Sequence, residues 1–128
     1  MAKKILNIVS QGFRAIYEEQ DDTILWLVHA MKNAGSDVSI LLQGSAVTYI
    51  DTAQECPKLT LGTWKQSNPP NIIHDMEAMI AKGISFYYVE DDALARGVPA
   101  ERIVKGIKAI KTTEIPGLFH KFDLIHQW

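Results

Sequence analysis

Short apolar runs rich in β-branched residues alternate along this chain with segments whose apolar residues recur at helical spacing. The runs cover residues 5–9, 37–42 and 84–89, and the helical segments between them cover residues 24–31 and 71–82. Runs without polar alternation are typical of strands buried on both faces of a parallel sheet. Because parallel neighbours need a crossover connection, usually a helix, the alternation predicts a three-layer α/β/α fold.

Two further strands, expected around residues 103–106 and 122–126, complete a mainly parallel five-stranded sheet. The 128 residues fit one domain spanning residues 1–128. We predict the strand order 2-1-3-4-5, in which the direction across the sheet reverses between the first and third strands. Ligands of such folds collect outside the carboxyl ends of strands at the reversal. The loops at residues 10–19 and 90–94 are therefore expected to meet there.

The connections carry capping and turn signals. Asp21 and Asp22 offer an N-cap for the first helix, and Ser45 offers one for a short helix at residues 46–52. Residues 52–71 mix prolines, glycine and polar residues without periodicity, which predicts a long loop.

Charge and hydropathy exclude several classes of protein. Thirteen basic against fifteen acidic residues give a net charge of −2, with no basic run beyond Lys3-Lys4, so we expect no nucleic-acid partner. The densest apolar run, residues 24–31, contains His29 and is far shorter than the roughly 20 residues of a membrane span. With no signal-peptide pattern at the N-terminus, the cytoplasm is the expected location.

The loop after the first strand is a candidate contact for an anion. Gln11, Gly12 and Arg14 supply one flexible backbone position and one cation. The phosphate-binding patterns G-x-G-x-x-G and G-x-x-x-x-G-K-[ST] are both missing, so an ordinary turn is favoured and no cofactor is expected.

The loop after the third strand is acidic. Glu90, Asp91 and Asp92 could hold a divalent cation through carboxylate oxygens. The more common use is that Asp91 or Asp92 caps the short helix that runs to Arg96. No pair of the four histidines has the H-E-x-x-H spacing of a zinc helix, and we assign no metal site.

Cys56 is the only thiol, so the chain cannot form an intrachain disulfide. Reactive cysteines need an electropositive environment that stabilises the thiolate. The neighbour of Cys56 is Glu55, and the nearest cation in sequence is Lys58. An unreactive free thiol is therefore favoured over a nucleophile or sulfur carrier.

Three segments of the chain form a combination that is more distinctive than any one of them. They are residues 3–12 (KKILNIVSQG), residues 30–47 (AMKNAGSDVSILLQGSAV), and the Ala-Arg-Gly-Val turn at residues 95–98 followed by Gly106. Together they resemble the DsrE/DsrF family of sulfur-relay proteins, which includes the TusD-type subunits. The resemblance implies a five-stranded α/β fold, homo- or hetero-oligomers, and transfer of persulfide sulfur between partner proteins.

The chain departs from this family at its sulfur-accepting position. The resemblance places a cysteine at the end of the third strand, seven residues before Arg96, and in some members another three residues later. Val89 and Asp92 stand at those positions here. Persulfide chemistry requires a thiolate, which neither side chain supplies.

Three hypotheses follow. The first is a DsrE-like, non-catalytic accessory or binding subunit of sulfur metabolism, oligomeric as a trimer or hexamer, with other sulfur-relay proteins as partners. The second is a sulfurtransferase that uses Cys56. The third is a small-molecule or metal-binding module at the strand-order reversal, with Arg14, Glu90 and Asp92. Self-association is also suggested by Leu59, Leu61 and Trp64, apolar residues in a stretch without helical spacing.

Overall fold

A parallel sheet organises the molecule. The computed structural model describes residues 2–13 and 22–128, and every statement on the structure below concerns these residues. Within them, five strands form the sheet in the order β6-β5-β2-β1-β7, and all four neighbouring pairs are parallel. The strands are β1 Lys4–Val9, β2 Asp37–Leu42, β5 Ser85–Val89, β6 Ile107–Ile110 and β7 Leu124–Gln127. The predicted fold class is confirmed.

Helices cover both faces of this sheet. The α-helices are α1 Thr23–Asn33, α2 Ile72–Ala81, α3 Glu90–Ala95 and α4 Ile115–Phe119. Single 3₁₀ helices span Gly44–Ile50, Ala100–Arg102 and Thr112–Glu114. In the described ranges, no helix combines the length and the apolar character that crossing a membrane would require.

Each face buries its own apolar cluster. The first cluster lies under α1 and α2 and includes Leu25, Val28, Met76 and Met79. The second cluster lies under the much shorter α4. Its buried members are Leu6, Ile8, Leu41, Val89, Ile110 and Leu118. Alternate residues of a strand point to opposite faces, so neighbours on one strand join different clusters.

The predicted strand order is wrong. In order of appearance, the strands are arranged 4-3-2-1-5, so the second strand lies between the first and the third. The predicted order places the first strand between the second and the third. Consecutive strands usually lie side by side, and β1, β2, β5 and β6 follow this rule in one direction. The chain then returns to place β7 beside β1. The reversal is therefore between β1 and β7.

Two local predictions also fail. The strand expected at residues 103–106 starts at Ile107, because Ile103 forms an isolated bridge with Asp51 and the Val104 N–H donates to the Ile50 carbonyl at 3.0 Å. The loop expected at residues 52–71 contains a hairpin of β3 Thr60–Leu61 and β4 Trp64–Lys65. Two-residue strands carry no usable periodicity, so the pattern could not indicate them.

Candidate functional site

The chain segments that directly follow β1, β2 and β5 meet at the carboxyl edge of the sheet, and the third of them is the start of α3. The side-chain amide of Gln43 donates to the hydroxyl of Ser10 at 2.9 Å, and the Gly44 N–H donates to a carboxylate oxygen of Asp92 at 2.8 Å. The Gly12 N–H donates to the Ser45 hydroxyl at 3.1 Å. We call these residues, 10, 12, 43–45 and 92, the three-loop joint. Ser45 is thus not a helix cap, since Gln43 occupies the N-cap position without a side-chain bond.

The joint is closely packed around its glycines. Gly44 has φ of +56°, and a Cβ atom there would lie 2.8 Å from the Ser10 carbonyl oxygen. A Cβ on Gly12 would lie 3.0 Å from the Ser45 carbonyl oxygen. The Gly12 N–H that the anion hypothesis needs is already bonded within the protein. Gln11 beside it is exposed, and Arg14 lies outside the described residues.

The acidic residues of α3 act as links between segments. Asp91 accepts from the Thr112 N–H at 2.8 Å and from the Thr112 hydroxyl at 2.7 Å. These two bonds hold the pKa of Asp91 below its usual value, and the bond from the Thr112 N–H has the larger effect. Asp92 is bonded to Gly44 in the joint. The expected cap by Asp91 or Asp92 is therefore wrong: Val89 is the N-cap residue, and it makes no side-chain bond.

These bonds also bear on the cation hypothesis. Across residues 2–13 and 22–128, no group of three or more His, Cys, Asp or Glu side chains could hold a metal ion. Glu90 is half-buried. The pKa of Tyr88 is raised first by the burial of Tyr88 itself and second by the negative charge of Glu90. Arg96 is exposed at the end of α3, where its guanidinium donates to the Asp92 carbonyl at 3.4 Å.

Val89 ends β5 with its side chain in the second apolar cluster, where it is 1% exposed. Asp92, one helical turn later, faces the joint. The two positions that carry cysteines in the family resemblance are thus a core position and a structural hydrogen-bond acceptor.

A cavity of about 500 Å³ adjoins the loop that follows β1. Its described walls come from the end of the β1 loop, from the stretch after the first 3₁₀ helix, and from the start of α2. They are Phe13, Gln54, Glu55, Cys56, Pro57, Pro69, Pro70, Asn71 and Ile72. Cys56 is half-buried and packs against the first apolar cluster as a free thiol. Cys56 is the member of this set that the sequence indicates as a candidate nucleophile.

A chain of hydrogen bonds fixes one wall of this cavity. Phe13 has φ of +59°, a conformation uncommon outside glycine. Its N–H donates to the Tyr49 hydroxyl, and its ring meets the Tyr49 ring edge to face with centroids 4.8 Å apart. The Tyr49 hydroxyl in turn donates to Asp22, the N-cap residue of α1. This network connects residues too distant in sequence to be recognised as a motif.

Comparisons with known proteins identify the fold. No family model matches the sequence, and no curated protein is similar to it. The crystal structure of the YchN protein from E. coli is similar with a TM-score of 0.74 and 17% identity, covering 98% of this chain and 99% of that one. BT1422 from Bacteroides thetaiotaomicron, a conserved protein of unknown function, has a TM-score of 0.65 at 17% identity, with 98% and 95% covered.

A third similar structure is MTH1491 from Methanobacterium thermoautotrophicum, also of unknown function. Its TM-score is 0.62 at 11% identity, with 97% of this chain and 98% of that one covered. Matches at such identities over almost the whole of both chains establish a shared fold. The five-stranded α/β fold that the DsrE/DsrF resemblance implies is the fold of this chain.

Proposed function

We propose that this protein is a DsrE-like, oligomeric accessory subunit of sulfur metabolism that binds partner proteins and does not accept sulfur at the end of β5. One observation carries the proposal: Val89, at the family's sulfur-accepting position, is 1% exposed within the second apolar cluster. A sulfur carrier there would need a thiolate that a partner can reach. Asp92, at the position where some family members carry a second cysteine, supports the same conclusion because its carboxylate accepts a hydrogen bond from the Gly44 N–H at 2.8 Å.

Partner binding is the direct test of this role. The tagged chain is recovered from its native cells and its companions are quantified against a tag-only control. We expect proteins of sulfur relay to be enriched, because a subunit without its own acceptor acts through its partners. Recovery of companions unrelated to sulfur chemistry would contradict the accessory role.

Self-association is the second part of the proposal. Leu61 and Trp64 pair across the β3–β4 hairpin and are 63% and 52% exposed. Paired apolar side chains exposed in this way are typical of surfaces that bind protein. We expect sedimentation to give an oligomer that the double variant Leu61→Ser, Trp64→Ser weakens. A wild-type monomer at micromolar concentration would contradict this part.

A second candidate function is sulfur transfer through Cys56. The observation that favours it is the position of this thiol in the wall of the 500 Å³ cavity. Treatment with a low-molecular-weight persulfide, followed by intact-mass measurement, separates the two candidates. In the transfer, the Cys56 thiolate bonds to the outer sulfur of the donor, the donor S–S bond breaks, and the donor leaves as its thiol. The accessory role predicts no stable gain of sulfur. A gain of one sulfur atom in wild type, lost in Cys56→Ser, would select the transferase.

A further inference from the structure

The cavity next to Cys56 has the size and lining of a small-molecule site. Sites for small organic ligands are mostly apolar concavities of about 300–1,000 Å³ with a few polar groups, and this cavity has about 500 Å³. Pro70 and Ile72 are its buried lining residues, and the half-buried Pro69 lies next to them. Pyrrolidine rings present flat apolar faces, which suit a flat apolar ligand.

Phe13 gives the cavity an aromatic wall that is held in place before any ligand arrives. Its side chain is 48% exposed, although its backbone is in the strained left-handed region. Strain of this kind persists only where the surroundings enforce it, and it concentrates at ligand sites. The hydrogen bond from the Phe13 N–H to Tyr49 and the edge-to-face ring contact enforce it here.

The charged groups among the described residues around the cavity argue against an ionic ligand. Among its described lining residues, Glu55 carries the formal charge, and its side chain is exposed. A ligand anion would meet this carboxylate and lose its hydration against apolar walls. A ligand cation could pair with Glu55 only where water screens the attraction.

We propose that this cavity binds a small, uncharged aromatic molecule whose ring packs against Phe13. Ring pairs in offset or edge-to-face contact gain attraction beyond their apolar burial. The proposal does not depend on Cys56 chemistry or on partner proteins, so it holds or fails separately from the proposed function.

Two fluorescent probes with the same ring skeleton test the ligand class. Phenylnaphthylamine is uncharged, and anilinonaphthalenesulfonate adds one sulfonate. We expect saturable binding of phenylnaphthylamine with one site per chain, at least about tenfold tighter than the sulfonate, which corresponds to about 1.4 kcal/mol. Equal or tighter binding of the sulfonate, or no saturable binding of the uncharged probe, would overturn the proposal.

Substitutions of Phe13 test the aromatic wall. Phe13→Ala is expected to weaken phenylnaphthylamine binding about tenfold, and Phe13→Leu, which keeps apolar volume without the ring, by a smaller factor. The matched control is Leu94→Ala on α3, an apolar side chain that is 68% exposed and does not line the cavity. It should leave the affinity unchanged. A control that weakens binding as much as Phe13→Ala would indicate general surface adsorption and refute the site.

Amide chemical shifts of the wild-type protein locate the probe independently of any variant. Titration with phenylnaphthylamine should shift the amide signals of residues 54–56 and 71–72, on both sides of the cavity. Signals of α3 should stay in place. Shifts confined to other surfaces would overturn the proposal even if the affinities agreed with it.

Discussion

Replacing Gly44 by alanine is the sharpest test of the three-loop joint. The substitution incurs two separate costs. A non-glycine residue at φ of +56° is strained by about 1–2 kcal/mol. The new Cβ would also lie 2.8 Å from the Ser10 carbonyl oxygen, so the backbone must shift, which costs about 1–3 kcal/mol as overpacking.

Gly62 offers a matched control in the hairpin. Its φ is +61°, and a Cβ there would meet nothing within 4 Å, so Gly62→Ala has the conformational cost alone. We therefore expect about 3 kcal/mol of destabilisation for Gly44→Ala and about 1 kcal/mol for Gly62→Ala. For a chain of 128 residues, 3 kcal/mol corresponds to a Tm lowered by roughly 10 °C.

Urea unfolding followed by circular dichroism measures both variants against wild type. The difference between the two alanine variants isolates the contact with Ser10 from the backbone strain. Equal losses of unfolding free energy would show that the joint accommodates a methyl group, and the close packing inferred from the 2.8 Å contact would be refuted.

Three further predictions concern hydrogen bonds and pH. Tyr49→Phe removes a buried hydroxyl that accepts one hydrogen bond and donates another. It should lower the free energy of unfolding in urea by about 1–3 kcal/mol, and an unchanged free energy would contradict this. The hydrogen bonds from Thr112 lower the pKa of Asp91 in the folded protein, so the ionised carboxylate stabilises the fold at pH values above its unfolded pKa of 3.8. This stability is lost as the pH falls through the folded pKa, so the unfolding free energies of wild type and Asp91→Asn should converge in acid. A difference that stays constant with pH would contradict this. Burial, then Lys82, lowers the pKa of His29, so folding favours its neutral form, and stability should decline as the pH falls below 6.5. The decline should be smaller in His29→Gln, and an unchanged decline would assign it to other groups.

The parts of the fold determined by short segments could be predicted from sequence. Asp22 caps α1 as expected, with one carboxylate oxygen accepting from the N–H groups two and three residues later at 2.9 and 3.0 Å. The strand at residues 37–42 was predicted with the bounds that β2 has. In both cases the interaction or the pattern lies within a few neighbouring residues.

The remaining features depend on partners that sequence does not reveal. As aspartates, Asp91 and Asp92 could both cap a helix. Instead, Asp91 accepts a hydrogen bond from Thr112, 21 residues away, and Asp92 accepts one from Gly44, 48 residues away. Strand order has the same origin, because an apolar run indicates burial but not which strand lies beside it. The cavity brings Phe13 together with two stretches of irregular chain, and no periodicity marks such a group.

The three-loop joint also has a consequence for how the molecule opens. Its bonds join residues 33 and 48 positions apart, so they cannot form until β1, β2 and β5 are side by side. We therefore expect the amide hydrogen of Gly44 to exchange with solvent mainly when this end of the sheet separates. In the β3–β4 hairpin, by contrast, the paired residues are only three and five positions apart, so the hairpin can form without the rest of the sheet. Amide exchange should consequently divide the protein into a slow unit, which includes the joint, and a hairpin that opens without it.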